Sequence, residues 1–160
     1  MKTIPHINPV TLPAIHRQTV AFLLVFTGLF LLPGMDVSGQ SMIGQSMLGQ
    51  EKAEVEKSVR KEHRDFRKDQ SVVRQQFNYL KYVNGLRTCT WILYFTDEDV
   101  CKTSKLICDY SEFDEVVEKL SDHYRMVGDS RWEYILDSDT IGVTLTRQEW
   151  YFTVRESREN

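Results

Sequence analysis

Apolar and polar positions follow different rhythms along the chain. Residues 20–32, opening at Val20 and closing at Leu32, form an apolar run with no period, weakened only by Thr27 and Gly28 and stopped by Pro33-Gly34. From Glu51 a helical period takes over. Val55, Val59, His63 and Phe66 recur at spacings of four, four and three among charged residues, which predicts an amphipathic helix over 51–68. Glu56 and Arg60, four apart with the acid first, add surface support. A second, stronger stripe comprises Phe113, Val116, Val117, Leu120, Tyr124 and Val127, predicting a helix over 111–127. Ser111 and Asp114 form a variant capping box at its start, and Gly128 supplies a C-terminal cap.

Between and after the helices the period falls to two. Residues 72–83 and 88–95 are rich in β-branched and aromatic side chains. They are joined by Asn84-Gly85, which predicts a two-residue type I′ hairpin with Leu80 opposite Cys89 and Phe77 opposite Ile92. Thr96-Asp97-Glu98-Asp99 is a turn, and 100–109 a third strand. Three more strands follow at 131–136, 140–146 and 149–155. Ile141, Val143 and Leu145 alternate with polar residues, and Trp150, Phe152 and Val154 repeat the pattern, as a sheet with one wet face requires. The expected fold is α+β: an antiparallel sheet of five to six strands, one helix packed on a face and an N-terminal amphipathic helix, in α-βββ-α-βββ order. That order suggests an internal duplication, whose only trace in sequence is Val-Glu-Lys at Val55 and again at Val117. In layout alone it resembles small exported inhibitor and envelope-assembly modules of the β-lactamase-inhibitor-like type.

The apolar run predicts export. Its 13 residues would span roughly 20 Å as a helix, against about 30 Å of bilayer hydrocarbon. Lys2 and Arg17 precede it, no acid occurs before Asp36, and Val37 and Gly39 suit the −3 and −1 positions of a leader-peptidase site. The expected organisation is a signal peptide over 1–39, a flexible Gly/Gln/Ser/Met spacer over 40–50, and a small α+β domain over 51–160. The alternative is an uncleaved anchor between Val20 and Leu32, the only membrane contact expected.

Composition narrows the function classes. With 20 basic and 23 acidic residues in 160, the chain lacks the basic surplus expected of a nucleic-acid binder. The basic positions of the first helix are interleaved with Glu54, Glu56, Glu62 and Asp65, so they read as a solvated face. Cys89, Cys101 and Cys108 fit no zinc spacing. They read as small apolar strand residues, or as one cross-strand disulfide with an odd thiol. After the leader only His63 and His123 remain, and no nucleophile-elbow, zinc-helix or phosphate-loop motif is present. The expectation is a non-enzymatic binding or structural module of the cell envelope or periplasm, with no cofactor and no metal; the lesser alternative is a small secreted enzyme, since a Cys–His pair can meet in space. A protein partner would meet the free sheet face at Tyr79, Tyr94 and Tyr151, since Tyr combines apolar area with a polar tip.

Overall fold

The computed structural model describes residues 42–70 and 77–159; the leader and anchor expectations lie outside them. Helix α1 (Lys52–Glu62) buries Val55 and Val59 and leads into three strands and a fourth: β1 (Phe66–Lys68), β2 (Tyr79–Asn84), β3 (Cys89–Phe95) and β4 (Cys101–Asp109). A 3₁₀ turn (Tyr110–Glu112) then opens helix α2 (Phe113–His123), followed by β5 (Arg125–Gly128), β6 (Arg131–Leu136), β7 (Asp139–Arg147) and β8 (Tyr151–Arg158). The strands form one antiparallel sheet in the order β1-β2-β3-β4-β8-β7-β6-β5. Each half therefore runs helix then four strands, and the halves meet where β4 pairs with β8. Among the described residues no helix is long and apolar enough to cross a membrane.

The sheet has eight strands among the described residues, not five or six. Both additions come from the ends of the expected helices. Helix α1 stops at Glu62 and Phe66–Lys68 turns back to pair with β2. Helix α2 stops at His123, and Arg125–Gly128 pairs with β6, so Gly128 ends a strand and is no helix cap. Ladder bonds to a neighbouring strand outweigh the small helix preference of these residues. No side-chain cap forms on α2, and Ser111 lies inside the 3₁₀ turn.

One face of the sheet carries the core. Leu80, Trp91, Leu93, Leu106, Phe152, Val154, Ile141, Val143 and Trp132 are buried there, beneath α1 and α2. His63 is fully buried against the Trp91 ring at 5.3 Å, and Phe113 meets Phe152 edge-on at 5.2 Å. The helices mirror one another: Val55, Val59 and His63 in the first half match Val116, Leu120 and Tyr124 in the second at one constant offset. The Val-Glu-Lys repeat is one residue out of step with this match.

The expected spacer is built into the fold. Ile43, Met47 and Leu48 are buried, the Gly49 amide donates to the Cys101 carbonyl and the Cys101 amide to that of Gln50. The five-residue repeat makes two successive turns, each with a buried Ile or Leu followed by a glycine at positive φ: Gly44 at 94° and Gly49 at 80°.

The β2–β3 hairpin also departs from expectation. Positive φ falls at Arg87 (61°), not at Gly85, so the type I′ turn is replaced by a four-residue connection. The Asn84 side chain organises it, accepting from the Cys89 amide at 3.0 Å and donating to Thr88 Oγ1 at 2.9 Å. The longer loop moves the register, placing Leu80 opposite Leu93 and Tyr79 opposite Tyr94. The shift is even-numbered, so every side chain keeps its face. Trp150 is 77% exposed in the β7–β8 connection; the core alternation starts at Phe152 and runs on to Glu156.

Candidate binding surface

The face of the sheet opposite the helices is covered by no described element. Ladder register arranges its side chains in rows. One row crosses Lys81, Ile92, Lys105, Arg155, Thr144 and Arg131, from β2 through β3, β4, β8 and β7 to β6. A second contains Tyr79, Tyr94, Thr103 and Ser157. The Tyr79 and Tyr94 rings lie 6.4 Å apart, tilted by 52°.

Charge along the first row is unevenly balanced. At the outside, Lys81 pairs with Asp69 at 2.7 Å and Arg131 with Glu159 at 2.6 Å. At the centre, Lys105 and Arg155 face each other directly across β4–β8, and neither has an ion-pair or hydrogen-bond partner among the described residues. Like charges opposite one another weaken a sheet. Beside them opens a groove of about 450 Å³, lined by Tyr94, Thr103, Lys102, Lys105, Arg155 and the Phe77 ring, with Asp97 at its rim. The structure thus brings Tyr79 beside Tyr94, and Tyr94 lines this groove. Tyr151 lies on the same face at the other end of β8, opposite Asp109, about 20 Å along the strand. Sequence reasoning did not single out Lys105 and Arg155. Each sits on an outward strand position, but only the pairing of β4 with β8 unites them.

Directly behind Arg155, on the core side, sits a buried acid. Glu156 is 8% exposed and accepts a hydrogen bond from the Tyr124 hydroxyl at 3.1 Å, which itself accepts from the Gly44 amide at 2.8 Å. Tyr124 stacks on Tyr134 with centroids 4.6 Å apart. Burial pushes the Glu156 carboxyl up to about 7, partly opposed by the Tyr124 hydrogen bond. Burial, joined by the nearby Glu156 charge, raises both tyrosine hydroxyls as well.

Cys89 and Cys108, directly opposite in register, form a disulfide with Cα atoms 4.2 Å apart. This realises the cross-strand alternative. Cys101 is free and buried, and burial pushes its thiol up to about 12, the reverse of a reactive thiolate. His123 is exposed with Nδ1 2.9 Å from the Lys119 carbonyl, so the two described histidines serve packing and a helix end. Comparison with protein-family models, with curated proteins and with solved structures finds no match.

Proposed function

We propose that this chain is an exported, non-enzymatic binding module that presents the open face of its sheet to a protein partner. One observation carries the reading: a large sheet covered on one side leaves Lys105 and Arg155 side by side and uncompensated at the centre of the other. Such a pair costs stability in the isolated chain and gains a role when a partner supplies the opposite charge. The tyrosine pair beside it provides the amphipathic contact area favoured at interfaces. Export is supported by the apolar run with its positive flank, and by a disulfide of the kind that persists in oxidising compartments. A binding rather than catalytic role is supported by the Cys101 thiol and the two histidines, none of which is placed or poised for chemistry.

Site-specific photo-crosslinking of the full chain in its natural host tests the reading. A crosslinker at Ile92 or Thr144, on the open face, should capture a discrete partner, while one at Glu118, on the exposed side of α2, should not. Capture from Glu118 alone would place the interface on the helical side and remove the proposal.

A further inference from the structure

We infer that the groove beside Lys105 and Arg155 takes an acidic polypeptide segment, a run of Asp or Glu side chains on the partner. The inference rests on the open-face reading above and specifies the chemistry of its occupant. Three cations, Lys102, Lys105 and Arg155, converge on the groove against the single carboxylate of Asp97. Cross-strand neighbours have Cβ atoms about 5 Å apart, so the Lys105 ammonium and the Arg155 guanidinium present adjacent positive tips. The guanidinium offers a carboxylate a two-point match, and the ammonium holds a second acid as a point charge. Tyr94 and Phe77 give the methylene stems of such side chains a surface to lie on.

Other anions fit this geometry less well. Phosphate sites draw on a concave nest of free backbone amides, whereas the groove floor is made by β3, β4 and β8, whose amides are engaged in the ladder. An anionic membrane surface attracts clusters of four or more basic residues, and here the outer members of the row already carry Asp69 and Glu159. A nucleic acid would meet a chain of net charge −3. A short acidic stretch of protein needs only the central cations and the rings beside them.

The test is a fluorescence-anisotropy titration of the full chain with a fluorescein-labelled oligoglutamate peptide, using oligoglutamine of equal length as reference. Oligoglutamate should bind, oligoglutamine should not, and added salt should weaken the complex. Lys105→Gln with Arg155→Gln should weaken binding about tenfold or more, with melting unchanged or raised because the like-charge contact is gone. Lys57→Gln with Arg60→Gln on α1 removes the same charge and should change binding less than about twofold. Equal loss in both variants, or equal binding of the two peptides, would overturn the inference. So would tighter binding to phosphatidylserine vesicles or heparin that disappears in the Lys105/Arg155 variant. If crosslinks still form from Ile92 and Thr144 while oligoglutamate fails to bind, the open-face reading survives and this inference falls; crosslinks from Glu118 alone remove both.

Discussion

Glu156 is the residue with the clearest solution consequence. Its ordinary carboxyl value of 4.5 rises to about 7 in the fold, so between those values the folded chain holds a proton that the unfolded chain has released. The stabilisation from the protonated form is complete below pH 4.5, declines as pH rises, and is gone above about 7. The difference amounts to roughly 3 kcal/mol. Glu156→Gln should keep the Tyr124 contact and remove this slope, so that the variant melts above the parent at pH 8 and near it at pH 4. Parallel melting curves for the two proteins from pH 4 to 8 would show that the carboxylate is solvated. The glycines offer a second contrast. Gly44 combines φ of 94° with a Cβ position 2.3 Å from His123 Cδ2, so Gly44→Ala should cost at least about 1 kcal/mol. Gly85 has ordinary φ and open space, and Gly85→Val should change thermal stability by less than about 0.5 kcal/mol.

At the scale of elements, the disulfide ties the two ends of the β3–β4 hairpin, closing a separation of 19 residues. Replacing both Cys89 and Cys108 by Ala should cost about 3 kcal/mol, read from denaturant melts, and reductant should lower the parent's midpoint without affecting the variant's. The same scale shows where sequence patterns stop being informative. The long alternating strands were legible, since Ile141, Val143 and Leu145 announce their buried side, and the helix stripes hold for Val55 and Val59 and for Val116 and Leu120. The edge strands β1 and β5 were not. Phe66 and Val127 continue the helical spacing of the elements before them, and three or four residues are too few to display a period of two. The hairpin was mis-registered because Asn-Gly is the local signal for a two-residue turn, while here the Asn84 side chain bonds the backbone at Cys89 and stretches the loop. Tyr79 and Tyr94 share one face of the sheet in either register, because the face depends only on parity. The Lys105–Arg155 pair was hidden for a different reason: it joins strands from opposite halves of the chain, and no local pattern reports a non-sequential pairing. Glu156 did leave a signal, as the next member of the alternation begun by Phe152 and Val154.

For the whole molecule, the export reading makes a direct claim about the mature chain. Intact-mass measurement of the protein from its natural host should find residues 1–39 removed, with the new terminus at Gln40, its amine free or cyclised. A full-length mass in the membrane fraction would replace cleavage with anchoring at residues 20–32.

The place of β8 has a bearing on how the molecule is made. The strand formed by residues 151–158 lies in the middle of the sheet, between β4 and β7. Until those residues have emerged from the ribosome, β4 and β7 are two open edges with no partner, and neither half can bring its core against the other. Closing the sheet requires contacts between distant parts of the chain, which form slowly. A seam completed by residues 151–158 keeps the two halves of the sheet apart until that one strand has paired with both of its neighbours.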